Sequence, residues 1–231
     1  MEKKIIILFG PPGAGKGTQA ELLSDKTHCF HIESSKLIED SFNNDDSEKA
    51  IEIDGQVYKM SDEKERWKSG LLNSFPFVAW LIKEKIKEVH SQGKGIIFSG
   101  SPRSLYEAGQ EIPLLKELYG VENIKFFLLN ISPETTIFRN SHRKICELMR
   151  HSILFNKETE NLTMCPLDGS ALIKRKNLDD IETINKRLEV FKENTLPVVE
   201  FAEKEQGINV IKINAEQTVS EVFNDIIKNL S

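Results

Sequence analysis

Cysteine is scarce in this chain: Cys29, Cys146 and Cys165 are the only three in 231 residues. So few, and an odd number, do not build a disulfide framework, and they agree with a reducing compartment. Long apolar runs are absent as well, since no stretch reaches the roughly eighteen residues of a membrane span. The opening Met1-Glu2-Lys3-Lys4 with its apolar sequel superficially imitates a signal peptide. That run is too short and ends in Gly10-Pro11-Pro12, so it reads as a first buried strand, and a cytoplasmic location is expected. Excess positive charge is missing too. With a net charge of −5 there is no global basic field to attract nucleic acid or an anionic membrane, and phosphate chemistry has to rest on locally placed cations. No internal repeat or low-complexity segment is apparent.

What remains is an ordinary globular composition, 39% hydrophobic and 29% charged, long enough for one sizeable core with inserted lobes. Such a chain need not borrow stability from a partner, and a monomer is expected. The stretch that organises it is Gly10-Pro11-Pro12-Gly13-Ala14-Gly15-Lys16-Gly17-Thr18-Gln19, which follows the apolar run Ile5-Ile6-Ile7-Leu8-Phe9 and precedes a helical pattern from Ala20 to Asp25. Glycines at 10, 13, 15 and 17 let the backbone fold into a nest of N–H groups, and the following helix adds its positive end. The order strand, glycine loop, helix asks for phosphate. Lys16 fits the G-x-x-x-x-G-K pattern, with Gly17 in the next place and the hydroxyl one residue later at Thr18.

Further along, Cys29 to Ile32 reads as a short extended segment leading to a serine-capped helix at Glu33 to Ile38. Asp40 to Ser69 is rich in Asp, Glu, Lys, Ser and Asn and carries the turn Asp54-Gly55, so an exposed lobe or long loop with little share in the core is expected. Ser74 to Val89 has helical apolar spacing. A second strand, Gly95 to Phe98, ends at Ser99-Gly100-Ser101-Pro102-Arg103, which sets an arginine just past a strand's carboxyl end, the edge where parallel sheets bind ligands. Further apolar runs at Ile124 to Leu129 and Ile208 to Ile213, the latter before an amphipathic helix from Thr218 to Leu230, give alternating strands and helices. That pattern predicts right-handed βαβ units and a three-layer α/β/α fold around a parallel sheet.

Between Ile145 and Ile173 the pattern fails in turn and loop residues, and arginines flank the gap: Arg139 and Arg143 before it, Arg175 and Arg187 after. A long irregular insertion of this kind is expected to be a lid. Phosphoryl transfer between two nucleotides gathers negative charge that the protein must align and neutralise in a dry site. Lys16, Arg103, Arg139, Arg143, Arg175 and Arg187 are the candidate cations, and two lobes closing over the sheet edge would exclude water.

These motifs, in order, resemble the adenylate kinase family. The resemblance rests on the phosphate loop, Gly100-x-Pro102-Arg103, Arg139-x-x-x-Arg143, and Arg175 with Asp179-Asp180 and Lys186-Arg187-Leu188. It covers nearly the whole chain and implies the reversible reaction of ATP and AMP to two ADP with Mg²⁺. By resemblance, residues 1–31, 76–143 and 176–231 form the core domain, 32–75 the lobe for the nucleoside monophosphate, and 144–175 the lid. ATP would be held by Gly13, Ala14, Gly15, Lys16, Gly17 and Thr18 with Arg139, Arg143 and Gln217. The monophosphate would be held by Ser34, Leu71, Leu72, Asn73, Gly100, Arg103, Glu107, Arg175 and Arg187. The six cations carry the catalysis in that reading.

Four positions depart from the family pattern. Glu39 stands for an arginine on the acceptor phosphate, Ser99 for an aspartate that orients hydrated magnesium, Ser101 for an aromatic residue, and Glu107 for the glutamine that reads adenine. A carboxylate only accepts, so Glu107 suits guanine's N1–H and N2–H₂ unless it is protonated or simply exposed. A kinase for another monophosphate such as GMP, or a nucleotide-binding regulatory module without turnover, are therefore the alternatives. In the lid, Cys146 and Cys165-x-x-Asp168 resemble the zinc site of many bacterial members, with Met149 where the second cysteine is expected. Zinc wants four ligands, and His151 could be the fourth; otherwise a polar network of these side chains would act as a metal-free staple.

Overall fold

The alternation of apolar runs and amphipathic segments becomes a parallel sheet covered on both faces in the computed structural model, which describes residues 4–43, 49–69, 71–175 and 179–230. The first strand, β1 (Ile5–Phe9), leads into α1 (Lys16–Thr27), β2 (Phe30–Glu33) and α2 (Ser34–Asn43). A hairpin of β3 (Ala50–Ile53) and β4 (Gln56–Lys59) then runs into α3 (Met60–Lys68). The chain returns through α4 (Phe75–Ser91), β5 (Ile96–Ser99), α5 (Leu105–Tyr119), β6 (Ile124–Asn130) and α6 (Pro133–His142). Three short strands follow, β7 (Lys144–Cys146), β8 (Ser152–Ile153) and β9 (Leu172–Ile173). The last elements are α7 (Ile181–Val190), α8 (Leu196–Lys204), β10 (Val210–Asn214) and α9 (Val219–Lys228).

The main sheet has the order β10-β6-β1-β5-β2, with every pairing parallel. All five residues of β1 are buried, as expected of a central strand with both faces covered. Its side chains alternate: Ile5, Ile7 and Phe9 join a cluster with α4, α5 and α8, while Ile6 and Leu8 join one with α1 and α9. The connection from β1 to β2 crosses one face through α1, and that from β5 to β6 crosses the other through α5. From the neighbouring strands β1 and β6 the chain runs on toward opposite edges of the sheet, to β2 and to β10, and a crevice opens above their carboxyl ends. Among the described residues no helix is long and apolar enough to cross a membrane.

Two expectations change. The segment from 40 to 69 is not peripheral to the core, because Phe42, Ile51 and Met60 are buried in the same cluster as the sheet and α4. Only a few apolar residues are needed when hairpin and helix direct them to one side; Phe42 stacks on Phe77 with ring centroids 6.2 Å apart. The insertion from 145 to 173 is not structureless either. It holds an antiparallel three-stranded sheet ordered β8-β7-β9, too short in each strand to give a period-2 signal. Residues 44–48, within the charged segment, and 176–178, at the expected return to the core, lie outside the described residues.

Candidate active site

The glycine loop sits directly beyond β1. Gly13 and Gly15 have φ of +83° and +87°, the left-handed region that glycine adopts without steric cost. At Gly13 a side chain would also collide, since a Cβ there would lie 2.5 Å from Asn140 Nδ2. Gly15 is the N-cap of α1, so the helix begins at Lys16, earlier than the apolar pattern indicated, and its first amides face the loop. Lys16 Nζ donates to the carbonyls of Gly10 and Pro11 at 2.6 and 2.9 Å, lying across the loop's mouth. Loss of water and then the charges of Arg103, Arg187 and Arg143 bring its pKa down to about 7.

Helix α6 supplies the wall opposite. Arg139 reaches the carbonyls of Gly13 and Glu216 at 3.4 and 3.5 Å, so the glycine loop, α6 and the turn after β10 meet on one arginine. Glu216 fastens that turn to the α6 N-terminus, accepting from the Ser132 amide and the Thr135 hydroxyl, each at 2.7 Å. Asn140 is wholly buried between Gly13 and Arg143, and its Oδ1 accepts from Arg143 Nη2 at 2.6 Å. Gln217 donates its side-chain amide to Asp225 at 2.6 Å. Asn140 and Glu216 were not expected from the sequence, where nothing in the neighbourhood of either marks the contact it makes.

Around the crevice the remaining cations converge. Arg143 and Arg187 are each held down to about 10, first by burial and next by Arg175. Arg175 is clamped by both oxygens of the buried Asp179, at 3.2 and 2.6 Å. Arg103, on the loop after β5, acts on both Lys16 and Arg187. Like charges this close repel strongly where water is scarce, so the cluster is a site prepared for an anion.

The far side of the crevice is built on the loop after β5. Buried Ser34, at the start of α2, donates to the Gly100 carbonyl at 2.6 Å, and a Cβ on Gly100 would meet Arg103 Nη2 and Ser34 Oγ. Leu71 and Leu72 are more than half exposed. Buried Asn73 turns its side chain to Glu63, its Nδ2 lying 2.8 Å from both the main-chain and a carboxylate oxygen. Glu39 is exposed on α2. Ser99 is buried, with its hydroxyl 2.6 Å from His31 Nε2. Glu107 is not exposed; it is 2% accessible, and its carboxylate receives the Arg103 amide at 2.8 Å.

In the three-stranded insertion Cys146, His151, Cys165 and Asp168 bring one donor atom each within 4.8 Å of one another. The Cys146 thiol is 3.0 Å from Asp168, whose second oxygen accepts from the Ser170 amide and hydroxyl. His151 Nδ1 lies 3.3 Å from Asp168 and 3.7 Å from Cys165. Hydrogen bonding, led by that from Cys146, holds the Asp168 carboxyl far below the usual range.

A family model described as adenylate kinase matches residues 8–207. The adenylate kinase of Petrotoga mobilis is 31% identical over 225 residues, covering 95% of each chain. That of Haloarcula marismortui is 30% identical over 229 residues, 98% of this chain and 96% of its own length. That of Clostridium perfringens is 31% identical over 227 residues, 96% of each.

Proposed function

The chain belongs to the adenylate kinase family and is a phosphotransferase, and we propose that it moves the terminal phosphoryl group of ATP to AMP, reversibly, with Mg²⁺ carried by the ATP. The observation that supports this most is the convergence of Lys16, Arg103, Arg143, Arg175 and Arg187 on the crevice beside the glycine loop. In this reading the loop amides and Lys16 hold the β- and γ-phosphates, and Arg139 and Arg143 hold ATP from α6. Arg103, Arg175 and Arg187 hold the acceptor phosphate and the group in transit. An AMP phosphate oxygen attacks the γ-phosphorus as the bond to the β–γ bridging oxygen breaks, so no proton need move at the transferring centre. The catalytic contribution is alignment and neutralisation in a site that the two insertions shield from water.

The residues at hand fit Mg²⁺. Thr18, at the start of α1, has a hydroxyl with no hydrogen-bond partner among the described residues, a hard oxygen of the kind this ion takes. When bound, Mg²⁺ neutralises charge on the phosphate oxygens. The Ser99 hydroxyl is engaged by His31 and supplies no carboxylate. AMP is favoured over GMP as acceptor because the Glu107 carboxylate is already occupied inside the loop by the Arg103 amide.

The four donors Cys146, His151, Cys165 and Asp168 fit a structural zinc: two sulfurs, an imidazole and a carboxylate, at separations that bonds of about 2.0–2.3 Å can bridge. We read the insertion that carries them as the lid and zinc as its staple. Metal analysis of protein purified without chelator should give one zinc per chain, and Cys165→Ala should abolish it.

Turnover is tested by ADP formation from Mg-ATP with AMP, GMP, CMP, UMP and dAMP offered separately. AMP should be preferred, and Lys16→Ala should reduce kcat by roughly 10²–10³-fold, the usual cost of losing one preorganised charge at the transferring phosphate. Binding of ATP without turnover on any acceptor would overturn the proposal.

A further inference from the structure

Beneath the loop that carries Arg103 lies a group of polar side chains that the transfer step does not use. Helix α5 sends Glu107 and Glu111, one turn apart on the same face, toward Ser101. All three are buried, with accessibilities of 2%, 0% and 1%. The Ser101 hydroxyl oxygen is 2.8 and 3.1 Å from the two oxygens of Glu111 and 3.3 Å from Glu107 Oε2. Glu107 Oε2 accepts the Arg103 amide at 2.8 Å, and its Oε1 is 3.3 Å from the Ser104 hydroxyl.

A count of protons decides how these groups are joined. One hydroxyl has one proton and serves only one of two ionised carboxylates, and two such charges gathered on a single oxygen would also repel each other. Glu107 has other donors, the Arg103 amide and Ser104, whereas among the described residues Glu111 has Ser101 alone. Other charged groups around α5 are directed elsewhere. From α4, Lys83 bonds Gln110; from α8, Glu205 pairs with Lys116; from the hairpin, Asp54 accepts from Tyr106. The sheet beneath contributes the apolar Phe98, Phe126 and Leu128 to this face. The Arg103 guanidinium is the cation that acts on Glu107, and Glu107 is the charge that acts on Glu111.

We infer that Glu111 is a positioning residue for Arg103: as a neutral acid it donates to Ser101, Ser101 donates to Glu107, and Glu107 holds the Arg103 amide. Every member is then satisfied, and the pair carries one negative charge, next to the arginine. Burial, then the charge of Glu107, favours the protonated form of Glu111. Ionisation would remove the donor that starts the chain and set two like charges against each other under the loop. Arg103 would lose its fixed backbone, whereas the glycine loop, α6 and the turn after β10 would be untouched. The inference rests on the proposed function only in taking AMP as the ligand that Arg103 meets.

The test measures the AMP and ATP dissociation constants by calorimetry from neutral to alkaline pH, for the unaltered chain, Glu111→Gln and Glu111→Leu. Infrared difference spectra of the unaltered chain against Glu111→Gln look for the protonated-carboxyl stretch, which requires no ligand. That stretch should be present at neutral pH in the unaltered chain and missing from Glu111→Gln. AMP binding should weaken roughly tenfold as Glu111 ionises, with ATP binding constant within about twofold. Glutamine donates like the neutral acid and cannot ionise, so Glu111→Gln should rescue AMP affinity at neutral pH and flatten the alkaline limb. Leucine fills the space without the chain and should weaken AMP binding at every pH. Absence of the carboxyl stretch, an alkaline limb surviving in Glu111→Gln, or unchanged AMP affinity in Glu111→Leu would each overturn the inference. Failure of every form to bind AMP would count against the proposed function, and the carboxyl stretch would then decide the protonation of Glu111 separately.

Discussion

The lobe made by α2, the β3–β4 hairpin and α3 puts Phe42, Ile51 and Met60 into the same apolar cluster as Phe77 of α4 and Phe98 of β5. The three-stranded lobe leaves Leu148, Met149, Leu154, Met164 and Leu167 more than half exposed, and turns Cys146 and Cys165 inward beside His151 and Asp168. The first is held by burial of apolar area, which is shared with the rest of the molecule and cannot be given up locally. The second is held by side-chain chemistry within itself, and in the proposed reading it is the part that opens while the core stays folded. With the second lobe as the proposed lid, the contrast would divide the two jobs a closing site needs, a platform that keeps its shape and a cover that moves.

The largest expected effect breaks the first lobe. Phe42→Ala should cost about 3–5 kcal/mol, the range for removing a buried phenylalanine. Because the cavity opens in the common core, the whole urea transition should shift to a lower midpoint with its slope unchanged. A separate early transition confined to the hairpin lobe would show that it is an independent unit and remove the contrast.

A smaller effect on stability is expected from the second lobe. Cys165→Ala should leave the unfolding free energy of the core, from urea titration, within about 1 kcal/mol. It should nevertheless make residues 146–173 the first site of proteolytic cleavage and lower kcat, because the proposed lid would no longer hold its shape. Loss of the global transition in this variant would place the three-stranded lobe within the cooperative core.

In sequence both lobes broke the alternation of strands and helices, the first by its charge and few large apolar residues and the second by its turn and loop residues, and that is where reading from sequence failed. Three apolar side chains in the first lobe were too sparse to register as a core, since what brings Ile51 and Met60 together is the hairpin between them. The strands of the second lobe, two or three residues long, carry no periodicity. The parallel sheet was legible because β1, β5 and β6 are continuous apolar runs, the pattern that covering both faces demands. Within the site, the glycine loop and the arginines could be named because chemistry ties them to fixed neighbours in the chain. The side chains that orient them could not. Asn140 against Gly13, Glu216 beside Ser132 and Glu111 beneath Ser101 are contacts made by the fold, and nothing in a polar residue's own neighbourhood says which contact it will make.

The smallest effect is a proton, and it measures how far each lobe reaches into the crevice. Lys16 has a pKa of about 7 against a usual 10.5, so near neutrality the folded chain without nucleotide holds its amine about half protonated. A lowered lysine pKa means that the folded state binds fewer protons than the unfolded one. This group therefore costs stability in full below about 7, and the cost fades as pH rises toward 10.5. Phosphate beside the amine reverses the shift, so nucleotide binding should take up a proton. Uptake should approach one per chain at mildly alkaline pH and vanish at mildly acidic pH, as read from binding enthalpies in buffers of different ionisation heat. Lys16→Ala should show none. Arg103, on the loop that Ser34 of the hairpin lobe touches, acts on Lys16 more strongly than Arg143, at the entrance to the three-stranded lobe. Arg103→Gln should accordingly move the onset of uptake to higher pH than Arg143→Gln does. The reverse order would mean that the three-stranded lobe, rather than the hairpin lobe, sets the charge of the lysine.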